Sequence, residues 1–306
     1  MAGVLDGFGI IAVVIGIGYL AGRLGFITPQ VAPALATLVF FVLAPCLLFT
    51  ILARTDVAQV FSGSLAVALG SALTVFLVYA AVARGVWRRS VASTTLGALT
   101  AGYVNSNNIG LPVSVYMLGS AAYVAPVLLA QLILMTPVVL TLLDASTSGR
   151  VSPRQVLLAP VRNPLVVASV LGVVASVTHV TVPDVVMEPM RIVGAAAVPL
   201  MLMNFGASLQ GVRILRPGPD RKDVVLATAL KAVVMPAVAW LVGAEVFGMT
   251  GHALFVVVAL AALPAAQNTF NYAQRYGVAE VMVRDAILLT TLASVPVLLA
   301  AALLLS

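Results

Sequence analysis

Three amides, Asn105, Asn107 and Asn108, lie within one stretch of chain whose flanks (residues 94–104 and 113–118) are mostly apolar enough for a bilayer, and Gly110 and Pro112 follow at once. A second set, Gln267, Asn268 and Asn271, follows Pro264 in an equally apolar setting, with 267/271 and 268/271 at helical spacing. Proline removes one backbone donor and frees a carbonyl, and a nearby glycine lets the chain turn. An amide buried in hydrocarbon without partners costs several kcal/mol. Such groups therefore cap broken helix ends, join helices, or line a watery cavity and hold a ligand. A half-helix N-terminus carries partial positive charge and free N–H groups, which suits a carboxylate or another anion. Amides add orientation without fixed charge, so binding there would be reversible.

One lysine, Lys231, also falls inside an apolar run. An intramembrane lysine either snorkels to the surface or serves a site. Asn204 could face the same cavity or simply pack helices. The acidic residues all fall in loops or near the ends of apolar runs, so an Asp/Glu proton relay is unsupported, and an Na⁺ site would need amides, hydroxyls and carbonyls. No His/Asp/Ser set or metal-ligand cluster converges, which argues against an enzyme; no cofactor or metal is expected. A single cysteine, Cys46, excludes an intrachain disulfide.

The elements that position these residues follow from composition. The 306 residues are 62% hydrophobic and 8% charged, against about 25% charged in soluble domains. An all-α polytopic membrane protein is the class implied, since the apolar runs do not alternate as a membrane barrel requires. Ten runs of suitable length lie near 4–24, 34–53, 63–83, 94–118, 123–143, 164–182, 188–209, 224–247, 253–274 and 284–305. The uninterrupted apolar part of the first run starts near Gly7, preceded by Asp6 rather than a basic segment, and so this run reads as a span and not a cleavable signal. With the N-terminus outside, the inner loops collect 13 of the 16 Lys and Arg: Arg23, Arg84, Arg88, Arg89, Arg150, Arg154, Arg162, Arg213, Arg216, Arg221, Lys222, Arg275 and Arg284. The outer loops hold Arg54 and Arg191. This bias places both termini outside and requires an even number of spans.

Spans 2 and 7 each carry a proline in mid-run, Pro45 and Pro199; spans 4 and 9 carry Pro112 and Pro264, at offsets of 67 and 65 residues. A five-helix unit used twice gives that pattern, and because five is odd the second copy is inverted. Inverted repeats with interrupted helices at matching positions point to a transporter's binding site. The expected division is an N-terminal repeat at 1–143, a cytoplasmic linker at 144–163 and a C-terminal repeat at 164–306.

The segment NSNNIGLP at 105–112, with its N-x-x-x-x-G-x-P pattern, resembles the span-4 motif of the auxin efflux carrier family, which includes the plant PIN auxin transporters and bacterial dicarboxylate carriers. ALPAAQNTFNYAQRYGV at 262–278 is similar to that family's span-9 pattern, and FVLAPCLLF around Pro45 matches as well. The resemblance covers all ten spans. It implies the fold of the bile-acid/sodium symporters: inverted five-helix repeats, with helices 4 and 9 broken and crossing at Gly110, Pro112 and Pro264. It further implies a scaffold of spans 1, 2, 6 and 7, often a homodimer, and a transport domain of spans 3–5 and 8–10 that moves as an elevator. Asn105 matches the family's carboxylate-contacting asparagine, and Gln267 is close to its span-9 polar partner. Thr269 stands where plant members often have a second proline, and the long hydrophilic loop of many plant carriers is absent.

The expectation is a secondary carrier in the cell inner membrane, moving small organic anions, carboxylates first. Its site would draw on Asn105, Asn107, Asn108, Gln267, Asn268, Asn271 and Lys231, and the membrane potential or an H⁺ gradient would drive it. No nucleic-acid partner is expected. An Na⁺-coupled symporter of the same fold, or a membrane sensor that binds the anion without moving it, are the alternatives.

Overall fold

The computed structural model describes residues 2–28, 30–54, 63–147, 161, 163–210 and 220–305. Most of the expected linker lies outside these residues, as do Asp56 and the inner-loop arginines Arg150, Arg154, Arg162, Arg213 and Arg216. The described chain is helical, and its only bridge of extended backbone is an isolated pair, Val104 with Ala265.

The helices are α1 Ala2–Arg23, α2 Val31–Leu52, α3 Gly63–Val86, α4 Val91–Gly102, α5 Leu111–Tyr116, α6 Ala121–Thr147, α7 Pro164–Val177, α8 Asp184–Ser208, α9 Arg221–Val246, α10 Gly251–Ala261, α11 Asn268–Tyr276 and α12 Glu280–Leu305. Six of them, α2, α3, α6, α8, α9 and α12, are each long and apolar enough to cross a membrane unaided. The protein is accordingly a multi-pass membrane protein.

Two turns widened to π geometry, Ala81–Val86 and Val242–Val246, precede no proline; four others among the described residues each end two residues before one. The four are Val39–Leu43 before Pro45, Ser106–Gly110 before Pro112, Gln131–Met135 before Pro137 and Leu230–Val234 before Pro236. The cause is local. A proline ring clashes with the carbonyl one turn upstream and offers it no N–H, so the preceding turn opens while the helix continues. Pro112 therefore does not interrupt its span: the π turn Ser106–Gly110 runs straight into α5, with Gly110 itself at helical angles. This corrects the expectation that Gly110 and Pro112 mark the break. The break lies upstream, at Tyr103–Asn105.

The chain divides into two compact units. The first comprises Met1–Ser62, Asn107–Leu129 and Leu157–Val212; the second comprises Gly63–Ser106, Ala130–Val156 and Arg213–Ser306.

Within the first unit, backbones approach closely at small residues. Helix α1 lies along the second half of α8, where a side chain at Gly206 would meet the Ile15 carbonyl and come within 2.8 Å of the Tyr19 amide. Gly18 faces the Met203 backbone, and Gly22 faces Ala207. The Gln210 side chain donates to the Tyr19 carbonyl at 2.8 Å. Helix α2 meets α7 and α8 in the same way, with Gly172 against Leu52 and Phe49 and Gly194 against Leu47. On the other side of α1, Ile10, Val13, Ile17, Leu20 and Leu24 form an exposed stripe at helical spacing, as a lipid-facing surface would.

In the second unit, α4 and α10 are interior. Every residue from Leu96 to Gly102 and from Leu254 to Ala261 is buried, so protein surrounds these stretches on all sides. Helix α4 starts at Ser90, whose hydroxyl accepts from the Ser93 amide at 3.1 Å. Just before it, Arg89 pairs with Asp223 at the start of α9, and its Nε donates to Oδ1 at 3.2 Å. The buried Tyr79 hydroxyl donates to the same carboxylate at 3.3 Å. Gly97 is needed here, because a side chain would strike the Tyr79 ring. Asp223 raises the Arg89 pKa further by hydrogen bonding and attraction. Asp223 and Asp285 are thus buried carboxylates at helix starts, each held by an arginine.

Candidate functional site at the crossed breaks

Helix α4 ends at Gly102, and Tyr103 turns to extended backbone (φ −93°, ψ 110°). Helix α10 ends at Ala261, and extended residues around Ala265 lead to α11. These two interruptions meet antiparallel inside the second unit. The Asn105 amide donates to the Pro264 carbonyl at 2.9 Å, and the Ala266 amide donates to the Tyr103 carbonyl at 3.0 Å. Each break thereby satisfies backbone groups that neither helix can satisfy internally, as a water-free interior demands.

Neighbouring side chains take up much of what remains. Gln131, 2% exposed, donates through Nε2 to the Val104 carbonyl at 3.1 Å and accepts at Oε1 from the Ser106 hydroxyl at 2.7 Å. Thr290 in α12 accepts from the Ala265 amide at 3.1 Å, while the Thr269 hydroxyl donates to the Ala266 carbonyl at 2.7 Å. The Tyr103 and Thr136 hydroxyls lie 3.0 Å apart. Each break is thus braced by the span that follows it: Gln131 from α6 for the first, Thr290 from α12 for the second.

Of the residues expected to form a site, the crossing brings together Asn105, buried at 4% exposure, and Gln267, half-buried immediately after the bridge. Asn268 opens α11 and is half-buried; Asn271, one turn on, is exposed. Pro264 lies in the break itself and contributes its carbonyl. Asn107 and Asn108 fall with the first unit, where the Asn107 Nδ2 donates to the Asn108 Oδ1 at 3.0 Å. The Asn107 Oδ1 and the Asn204 Oδ1, also in the first unit, are buried with no hydrogen-bond partner among the described residues. Lys231 does not snorkel: it is fully buried, and its ammonium donates to the Ala261 carbonyl at 2.7 Å.

Sequence reasoning passed over Gln131, Ser106 and Thr290. A signal for the first two existed, since both stand six residues before a proline, Pro137 and Pro112, and so open a widened turn. Among the described residues no cluster of His, Cys, Asp and Glu could hold a metal ion.

Residues 9–301 match the family described as "Membrane transport protein". The chain belongs to the auxin efflux carrier family. It is 27% identical over 304 residues to a Rhizobium meliloti protein named "Putative malonate transporter", covering 95% of this chain and 91% of that one. It is 38% identical over 152 residues to "Probable auxin efflux carrier component 5b" of Oryza sativa subsp. japonica, covering 48% of this chain. A second rice protein, "Probable auxin efflux carrier component 5c", is 32% identical over 144 residues. The chain spans about 40% of the length of the first rice relative and 38% of the second. In this member of a membrane transport family, polar side chains gather at the crossed breaks.

Proposed function

We propose that this protein is a secondary carrier for small organic anions, carboxylates in particular, in the cell inner membrane. The observation that carries the reading is the buried crossing, which through the Asn105 backbone N–H holds that residue close to the start of α11, where Gln267 and Asn268 stand. Amides and the N-terminal end of a helix favour an anion without fixing it permanently. The name of the bacterial relative, whose length the chain nearly spans, agrees in substrate class. Asn271 would meet the anion only on entry, being exposed.

In this reading the chain crosses the membrane ten times as two inverted repeats, with both termini outside. The bracing of one break by Gln131 and of the other by Thr290 supports the repeat, because each partner comes from the span after its break. The unit holding the crossing is the moving part of an elevator, and the glycine-packed unit is its scaffold, joined to a second copy in a homodimer. The membrane potential or an H⁺ gradient supplies the drive. Coupling to Na⁺ is the second reading, since an interior helix end is a recurrent cation site.

The test is electrical. Purified protein in proteoliposomes on a solid-supported membrane is challenged with malonate, malate, lactate and indole-3-acetate, beside an Asn105→Ala variant. Saturable currents with one acid that fall at least tenfold in the variant are expected, roughly the effect of one lost oriented contact. Silence across the panel from folded protein would remove carboxylates from the reading. High-affinity binding without current would make the protein a sensor.

A further inference from the structure

The broken span leaves a helix C-terminus in the protein interior. At the end of α10 the Ala262 amide takes up the Val258 carbonyl at 2.9 Å, and the Leu263 amide reaches the Leu260 carbonyl at 3.4 Å. The Ala261 carbonyl receives instead the Lys231 ammonium at 2.7 Å. The ammonium also lies 3.3 Å from Met235 Sδ, a neutral thioether one turn along α9. The side chain is fully buried, and among the described residues no carboxylate forms an ion pair with it.

An isolated charge in such a place needs compensation. The compensation on offer is the negative end of the α10 dipole, aimed by the last carbonyls of the helix. Transporters with broken helices commonly place a coupling Na⁺ or H⁺ at such an end. Here a side chain occupies the position. The widened turn Leu230–Val234, opened by Pro236, is the turn that carries Lys231.

We propose that Lys231 is a tethered cation that neutralises the interior C-terminus of α10, so that the crossing assembles without a bound metal cation. From Ala261 the chain runs three residues to Pro264, whose carbonyl holds the Asn105 amide. Lys231 is thus a positioning residue: it fixes the end of α10, which fixes the crossing, which orients Asn105. It touches no substrate. The inference deepens the carrier reading, on which its transport arm rests, and it rejects Na⁺ as the coupling ion.

The test removes the tether and returns the charge. In Lys231→Ala, n-propylammonium has the size of the deleted segment, and n-propanol is its neutral counterpart. Two readouts are taken on the full-length protein: the thermal midpoint in detergent without substrate, and the apparent carboxylate affinity and maximal current in proteoliposomes. Wild type is expected to give the same midpoint and current in sodium and in choline chloride. Lys231→Met and Lys231→Ala should lose affinity by roughly tenfold, the worth of a well-placed charge at a helix end. Propylammonium at tens of millimolar should restore Lys231→Ala in both readouts, and propanol should not.

Equal rescue by propanol would make the role one of packing and overturn the proposal. So would wild-type behaviour in Lys231→Met, or a requirement for Na⁺ in wild type. Failure of both variants to fold even with propylammonium counts against it too, because only a cation is held to be missing. A wild type that carries no carboxylate current, with the amine still restoring the midpoint, would sink the carrier reading and leave the tethered cation standing.

Discussion

The two units hold their helices together by different means. In the first, glycines let backbones touch: Gly18, Gly22 and Gly206 seat α1 on α8, and Gly172 and Gly194 seat α7 and α8 on α2. The contacts are mostly van der Waals, and helix association in lipid relies on such packing because no hydrophobic force favours it there. In the second unit the helices are interrupted, and hydrogen bonds replace what the interruptions remove: Gln131, Thr290, Thr269 and Lys231 each answer a backbone group near the crossing. The contrast teaches where binding can be built. Close-packed glycine contacts tolerate no ligand, whereas a polar crossing already offers oriented donors and acceptors.

That contrast breaks first at Gly206. A Gly206→Leu side chain would run into the Ile15 carbonyl and the Tyr19 amide, which are backbone and cannot swing away. A loss of about 3 kcal/mol or more is expected, at the upper end of overpacking costs. It should be read as a collapse of the folded fraction after heating and size exclusion. Gly9→Leu, at an exposed position with nothing within 4 Å, should leave the midpoint unchanged. Equal behaviour of the two would mean that α1 does not pack on its glycine face.

The second substitution sharpens the comparison. Gln131→Leu keeps bulk but strands the buried Ser106 hydroxyl and leaves the Val104 carbonyl only the Ser106 backbone N–H at 2.8 Å. About 2 kcal/mol of stability should go. Unlike the glycine variant, whatever folds should also bind carboxylate more weakly, because Asn105 sits between Val104 and Ser106 in the chain. An unchanged affinity would separate the brace from the site. Thr290→Val is the gentlest, nearly isosteric: it removes the acceptor for the Ala265 amide and a donor to the Ala286 and Ile287 carbonyls of its own helix. About 1 kcal/mol is expected, measured as a small midpoint shift with transport retained.

How legible was this in the sequence? The greasy runs gave the membrane class and the helices directly, since hydrocarbon leaves backbone groups few other solutions. The amides at 105–108 and 267–271 marked the interrupted regions. The position of the first break was misread, because Pro112 was taken as its cause. A proline perturbs the turn before it, and here that turn widened without breaking. Gln131 was passed over because one amide in an apolar run carries no mark of its partner, which lies 27 residues away along the chain. Lys231 was seen as unusual, but a period or a spacing cannot say that its ammonium meets the end of a helix 30 residues on.

Composition and local order therefore determined that this chain lives in a membrane as helices, and which residue types would be costly to bury there. These are properties of a side chain or a turn and its solvent. Tertiary structure alone decided which backbone groups the breaks leave to be satisfied and which side chains answer them. The antiparallel contact of Val104 with Ala265 joins segments far apart in sequence. The physical reason is that a hydrogen bond has direction and reach, and only the folded path of the chain brings donor and acceptor within it.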